Sequence, residues 1–578
     1  MILNILKSRF STAISNFTED VSVYLDLIRP SHDIRFGDYQ ANIAMPLASK
    51  LSRNPREIAS EIISQLQVDD ICKSVEVAGA GFINLTLRES FLVEKLLNAA
   101  ADSERMGIEL VRNPKNFIVD YSGPNVAKPM HVGHLRSTVL GNAITNMLRF
   151  RGHNVITDNH LGDWGTQFGM IIFGYRNYLD VDSYCRQPVE ELSRIYKLVR
   201  NKIDSGDQEI SASVLEETAK LHDADPDNLK IWNEVMPFAM NEIDSIYKRI
   251  GIKFDYTLGE SFYHPLLADI VNNLIERGIA KETNGAIGIF FEGNDTPMLI
   301  RKKDGAFLYG TTDIAAILYR IHQFKPDIIL YLTDFRQSLH FEQLFKVSKL
   351  MGISGVEFSH IKFGTVLGED GKPFKTRSGS TVGLNGLLDE AEKHALEIVK
   401  SNDRLELSEI EIHEIAKKIG IGCIIYADLS QNRESDYVFS YNKMLAMNGN
   451  TAAYMQYAYA RVRSIFSKGN IDVNQFRENV KSGNFKAELK SDAECNLAKE
   501  ILKFGDAIDL AIKDYRPNLL TTYLFELANK YSTFFEQCPV LRAENELIKN
   551  SRLLLCDLTA STLNKGLELL GIKTVERM

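Results

Sequence analysis

The stretch "SGPNVAKPMHVGH", residues 122–134, decides how this chain is to be read. Before it, "KNFIVDYS" (115–122) is a short run of β-branched and aromatic residues with strand character. After it, Val132, Leu135, Val139, Ile144 and Leu148 recur near helical spacing up to residue 150. Strand, tight Gly-Pro-Asn turn, then helix is the opening of a nucleotide-binding α/β sheet. A helix start leaves backbone N–H groups unbonded and carries partial positive charge, which suits a phosphate. His131 and His134 add donors at that end, and Lys128 adds a movable cation. Gly133 removes a side chain, so a base or sugar can approach the backbone. The same residues also fit a capping turn with ordinary surface histidines.

On the N-terminal side, residues 1 to about 28 read as an amphipathic helix. "GDYQANIAMPLASKL" (37–51) reads as a turn followed by a helix, and "NPREIASEIISQL" (54–66) as a second helical stretch. "VEVAGAGFINLTL" (75–87) reads as a strand pair with glycines between. Residues 1–108 therefore form a small α+β domain. On the C-terminal side, "HNVITDNHLGDWGTQFG" (153–169) supplies a second strand and a glycine-rich loop, and residues 168 to about 255 are mostly helical. "GAIGIFFEGNDTPMLIRKKDGAFLYG" (285–310) reads as paired strands and turns; "PDIILYLTDF" (326–335) and "HIKFGTVL" (360–367) read as further strands. From about residue 405 helical periodicity dominates, as in a bundle.

Composition narrows the function classes. The 578 residues are 44% hydrophobic and 25% charged, enough for several domains of ordinary globular composition. A net charge of -9 argues against a wholly basic nucleic-acid binder, yet leaves room for one local basic face. The six cysteines form no CxxC pair and no zinc spacing, so free thiols and no zinc are expected. No segment approaches the roughly 20 apolar residues of a membrane span, and the N-terminus is too polar for a signal peptide. A cytoplasmic protein without membrane contact is expected.

"HVGH" resembles the His-x-Gly-His signature of class I aminoacyl-tRNA synthetases. "SGPNVAKPMHVGHLRSTVLGN" (122–142) is similar to arginyl-tRNA synthetases of bacterial type. The likeness continues through "DNHLGDWGTQFG", "LYGTTDIAA", "GKPFKTRSG", "GNTAAYMQYAYAR", "FFEQCPVL" and "LELLGIKTVERM", nearly the whole chain. It implies a multidomain α/β fold. Residues 1–108 resemble the family's added tRNA-binding domain. Residues 109–400 resemble its Rossmann-like catalytic core, with insertions at about 168–290 and a mobile lysine loop at 368–379. Residues 401–578 resemble its all-α anticodon-binding bundle.

The resemblance also implies a reaction and its parts. L-Arginine attacks the α-phosphorus of ATP, supplied with Mg²⁺ as substrate, and the adenylate then passes arginine to the 3′ end of tRNA(Arg). No permanent cofactor and no protein partner are implied; the family is usually monomeric. His131, Gly133, His134, Lys128, Lys375 and Arg377 match ATP-binding positions, and Lys372 and Lys375 follow the charge of leaving pyrophosphate. Ser378 stands where many class I enzymes carry the last loop lysine, which makes Lys128 the substitute cation. Asp120, Asn125, Tyr309, Asp313 and Gln337 match the arginine pocket. By spacing, Tyr309 and Asp313 share a face if Asp313 begins the helix "IAAILYRI"; Asp313 then also fits a simple helix cap. Trp164 and Gln167 line the substrate or the acceptor end, or pack. Tyr454, Gln456, Tyr457, Tyr459, Arg461 and Arg463 are candidate tRNA contacts by stacking and phosphate pairing, although helical spacing turns some of them inward. Two other readings fit less well: a class I synthetase of another specificity, such as cysteine, lacks its zinc spacing here; a tRNA-binding relative without chemistry conflicts with the intact histidines.

Overall fold

The computed structural model describes residues 2–31, 33–292, 294–374, 383–401 and 407–578. Near the N-terminus the first helix ends at Ile14, well short of residue 28; the polar run after it leads to a short helix, Ser22–Leu25, and a strand. That strand, β1 (Ile28–Pro30), joins β2 (Tyr39–Ala41), β3 (Cys72–Ala78) and β4 (Phe82–Leu87) in an antiparallel sheet of order β1-β2-β4-β3. The β3–β4 pair is the one expected from its glycine turn. β2 was hidden within a segment that reads as turn and helix, because three residues are too few to show alternation.

The central sheet follows from the apolar strand runs. β5 (Asn116–Asp120), β6 (Asn154–Asn159), β7 (Tyr256–Thr257), β11 (Ile328–Tyr331) and β12 (Glu357–His360) are parallel, in the order β12-β11-β5-β6-β7. This is a Rossmann-like order with its switch point between β5 and β11, where such sheets hold ligands at their C-terminal strand ends. Between β7 and β11 the chain builds a small antiparallel sheet of β8 (Ala280–Thr283), β9 (Ala286–Phe291) and β10 (Asn294–Arg301). The helical excursion ahead of it is made of Thr166–Tyr178, Val181–Arg186, Pro188–Asp204, Gln208–His222 and Pro226–Ile250.

The segment "HIKFGTVL" is not one strand. β12 closes at His360, and the chain bends through Gly364 before β13 (Val366–Leu367) pairs in parallel with β14 (Tyr437–Val438). The bend needs glycine, since a Cβ there would lie 2.7 Å from the Asp436 carboxylate and the Ser435 backbone.

The helix Val132–Phe150 is the joint of the molecule. Ser137 Oγ donates to the Leu332 carbonyl at 2.7 Å and accepts from the Ser122 N–H at 2.9 Å, fixing the helix to the sheet. Arg136, the residue before Ser137, points to another face and is 1% exposed. It donates to the Gly364 carbonyl at 2.7 Å and faces Asp428, 3.5 Å away, on helix Glu409–Leu429. Lys499 of the C-terminal bundle pairs with Asp38 of the N-terminal domain at 2.5 Å. Among the described residues, no helix is long and apolar enough to cross a membrane.

Candidate active site

The Gly-Pro-Asn turn and the glycine-rich loop meet at the mouth of the sheet. Asn125 forms a bridge with Gly162, and its Oδ1 accepts from the Ala127 N–H at 3.1 Å. A Cβ on Gly162 would press on Asn125 Nδ2 at 3.1 Å, so the glycine makes room for that amide. The helix then starts at His131, with the two imidazoles stacked at 4.0 Å. Each ring uses Nδ1 as an acceptor: His131 takes the Gly133 N–H at 3.1 Å, and His134 takes the His131 N–H at 3.2 Å. Here the structure differs from the expectation of unbonded backbone donors. The histidines take two of those N–H groups, and by keeping Nδ1 unprotonated they place the ring proton on Nε2. Burial, with the charges of His131 and Lys128, pushes His134 down to about 3; burial and Lys128 also lower His131. Both are neutral Nε2–H donors. Gly133 is needed first for its own neighbour, since a Cβ would meet the His131 ring at 2.9 Å.

Lys128 rests its ammonium 5.5 Å above the Tyr196 ring. Lys372 lies in a tight turn in which the Gly368 N–H donates to its carbonyl at 2.7 Å. Lys375, Arg377 and Ser378 lie outside the described residues. On the far side of that segment the chain returns at Gly383, which forms an antiparallel bridge with His131, and the Leu384 N–H donates to the Met130 carbonyl at 2.8 Å. The lysine-bearing segment therefore ends against the histidine turn.

A second cluster fills the C-terminal ends of β5 and β6. Asp120 and Asp158 are register neighbours on adjacent strands, which sets two carboxylates side by side. Arg320, 1% exposed, answers both, at 2.7 Å to Asp120 and 2.8 Å to Asp158, with Tyr331 5.6 Å from its guanidinium. Burial raises the Asp120 pKa against the pull of Arg320 and His160. Asp120 is thus tied to a guanidinium of the chain itself.

Asp313 is not the start of its helix. Tyr309–Phe324 begins four residues earlier, with Leu308 at the cap position and no side-chain cap, so Asp313 sits in the second turn and projects inward. Its Oδ2 lies 2.6 Å from His340 Nε2, while Oδ1 faces His160 Nε2 at 4.0 Å. Burial opposes its charge, but the His340 hydrogen bond and the charges of His340, His160 and Arg320 hold its carboxyl below the usual range. Tyr309 shares the face, 70% exposed at the rim, edge-on to His340 at 6.2 Å. Gln337 is exposed, three residues before His340, where a short turn gives way to helix Ser338–Leu350.

Three participants escaped the sequence reading. Glu260 is pushed up to about 8 by burial, Asp313 and Asp163. It is placed by its N–H donating to the Leu161 carbonyl at 3.0 Å, and by Asp163 holding the next residue, Ser261, through its N–H at 2.9 Å. Arg320 sits inside the quoted "IAAILYRI" and His340 three residues after Gln337, neither of them singled out. A Gly-Glu-Ser turn at 259–261 was the available signal for Glu260. Trp164, by contrast, packs among His222, Trp232 and His264 with ring centroids 6.0, 5.6 and 5.3 Å away. Gln167 Oε1 lies 3.5 Å from the Tyr196 hydroxyl.

In the C-terminal bundle the expected RNA face is mostly turned inward. Gln456 is fully buried, donating to the Lys573 carbonyl at 2.7 Å, and Tyr459 is buried with its hydroxyl 2.6 Å from Glu576. Both are corrections: helix Ala452–Lys468 spends that face on the chain's C-terminal residues. Arg463 pairs with Asp557 at 2.8 Å. Tyr454 is half-buried with its hydroxyl 3.4 Å from Asn529, and Arg461 covers the Phe535 ring at 4.4 Å.

Comparison with known families then decides the identity. Residues 95–441 match the model described as tRNA synthetases class I (R), catalytic domain. Residues 455–578 match the DALR anticodon binding domain, and residues 4–87 the arginyl tRNA synthetase N terminal domain. The chain belongs to the arginyl-tRNA synthetase family. Arginine–tRNA ligases of Rhodopirellula baltica and Crocosphaera subtropica are 41% and 44% identical to it; the first match covers 100% of this chain and 99% of the relative, the second 99% of each. The solved arginyl-tRNA synthetase of Plasmodium falciparum superposes with a TM-score of 0.84 at 31% identity, covering 100% of this chain and 99% of that one. The Thermus thermophilus structure, at 22% identity and a TM-score of 0.81 over 100% of both chains, shares the fold. As an arginyl-tRNA synthetase of class I, the enzyme activates arginine with ATP and transfers it to tRNA(Arg).

Proposed function

We propose that the two clusters divide this reaction between them. His131 and His134 donate Nε2–H to the phosphates of ATP, which arrives as its magnesium complex. Lys128, released from Tyr196, and Lys372 follow the charge that grows on the leaving pyrophosphate, together with Lys375 and Arg377. In-line attack by a carboxylate needs positioning and charge neutralisation, with no covalent nucleophile from the protein. Asn125 orients the amino acid's polar end from the turn beside the histidines. Tyr309 and Gln337 edge the entrance.

The arginine side chain enters toward Asp313 and Glu260. The observation that carries this is Asp313 itself: a charged, inward carboxylate with one oxygen bonded to His340 and no hydrogen bond on Oδ1 among the described residues. A planar guanidinium supplies paired donors for such an acceptor, whereas a lysine ammonium does not. Asp120, occupied by Arg320, shapes the pocket's floor and is not the direct partner. Asparagine at 313 keeps the size and loses the charge. Asp313→Asn is expected to raise the KM for arginine at least about a hundred-fold, with little change for ATP, since pairs between charged groups count for more than neutral ones. Steady-state aminoacylation at saturating ATP and tRNA checks it; a parent-like KM would remove Asp313 from the role.

For tRNA, the DALR-type bundle supplies the anticodon contacts through its exposed residues. Arg461 and Tyr457 are the better candidates on helix Ala452–Lys468, since Gln456 and Tyr459 face the interior.

A further inference from the structure

The amino-acid pocket keeps a cation of its own on Asp313. His340 Nε2 lies 2.6 Å from Asp313 Oδ2, a charge-assisted distance. The ring is held by its neighbours: Tyr309 stands edge-on at 6.2 Å and Phe341 at 5.3 Å, and Phe341 in turn stacks on His360 at 4.7 Å. The groups facing this pair come from every wall. Arg320 is bound by Asp120 and Asp158. His160 stays 4.0 Å from the other oxygen. His360, on β12, is pushed down to about 4, chiefly by burial, and is neutral. Glu260 is pushed up to about 8 and carries its proton. The near positive charge on Asp313 is therefore His340, whose pKa burial lowers but the Asp313 hydrogen bond and charge raise to a net increase.

We propose that His340 is a positioning residue that stands in as imidazolium for the substrate's guanidinium, and gives up its Nδ1 proton to solvent when arginine binds. The side chain is 25% exposed, which gives that proton a way out. The Nδ1–H bond breaks and the proton passes to water. Nε2–H stays on Asp313 Oδ2, so the carboxylate keeps its orientation and offers Oδ1 to the guanidinium. One positive charge leaves as another enters, and the pocket's net charge is unchanged. The empty site is thereby protected from an uncompensated buried carboxylate, and a neutral ureido analogue of arginine, bringing no charge, expels no proton.

This rests on Asp313 as the guanidinium's partner, and the test separates the two ideas. The KM for arginine is measured against pH between about 6 and 8, at saturating ATP and tRNA, where histidines titrate. In the parent it falls as pH rises, by up to about ten-fold per unit for each proton released. His340→Gln keeps an amide donor for Asp313 but has no proton to lose. Its slope is expected to be shallower by about one proton, while the ATP KM keeps the parent's pH dependence. His340→Ala, with no donor, is expected to raise the arginine KM about ten-fold, and glutamine to restore it. A parent-like slope in His340→Gln, with Asp313→Asn impaired, overturns the proton transfer alone. An unimpaired Asp313→Asn overturns the guanidinium reading beneath it.

Discussion

His131 has two jobs that one substitution can separate. Its Nδ1 caps the helix start through the Gly133 N–H, and in the function proposed above its Nε2–H is the donor offered to phosphate. Asparagine is a competent cap with no counterpart to the far nitrogen. His131→Asn should therefore leave thermal stability close to the parent's while lowering the rate of adenylate formation by about 2–4 kcal/mol in the transition state. Calorimetry and single-turnover activation with tRNA present read the two jobs separately; near-normal activation would sink the donor role. Arg320 makes a related case. It lies between Asp120 and Asp158 as a guanidinium in a guanidinium-binding enzyme. Arg320→Ala removes the countercharge of two buried carboxylates, a loss of about 3–5 kcal/mol, and opens a hole of the same shape. Millimolar guanidinium, far below denaturing concentrations, should restore part of the lost stability, where sodium chloride at equal ionic strength does not. Equal effects of the two salts would show that the hole does not take the ion.

At the scale of elements, the signature helix lies on the sheet as closely as it does because of one missing side chain. A Cβ on Gly141 would fall 2.2 Å from the Tyr121 ring, which follows β5 directly. Gly141→Ala has to push the helix from the strand end, at a cost of about 1–3 kcal/mol in unfolding free energy, and it should lower activation as well because His131 and His134 ride on that helix. Urea unfolding and pyrophosphate exchange check both; a stability equal to the parent's would mean Tyr121 turns aside freely. Elements of this kind also show what the sequence made legible. The strand–turn–helix at 115–150 was readable because apolar period and turn residues agree there. The start of the helix carrying Asp313 was not, since Leu308 caps it with no side-chain signal. His340 and Arg320 were invisible as site residues, because their meaning comes from carboxylates 27 and 162 or more positions away in the chain. The inward turn of Gln456 was equally hidden, as its partner is a carbonyl 117 residues on.

At the scale of the whole molecule, the buried pair of Arg136 and Asp428 joins helix Val132–Phe150 to helix Glu409–Leu429. Tyr437 donates to the second oxygen of Asp428 at 3.1 Å. Asp428→Asn keeps an acceptor for Tyr437 but leaves Arg136 without its counter-ion, and is expected to cost about 3–5 kcal/mol. Denaturant unfolding of the full chain measures the loss, and a change below about 1 kcal/mol would show that the Gly364 carbonyl suffices for Arg136.

The short parallel pair β13–β14 has a mechanical meaning. The Phe374 N–H donates back to the Val366 carbonyl at 3.0 Å, and its ring meets Phe439 at 4.8 Å, so the foot of the lysine-bearing segment stands on the chain that leads into the bundle. The other foot, Gly383, stands on His131. The two ends thus report on different parts of the molecule: any shift of Phe439 relative to the histidine turn moves Phe374 against Gly383.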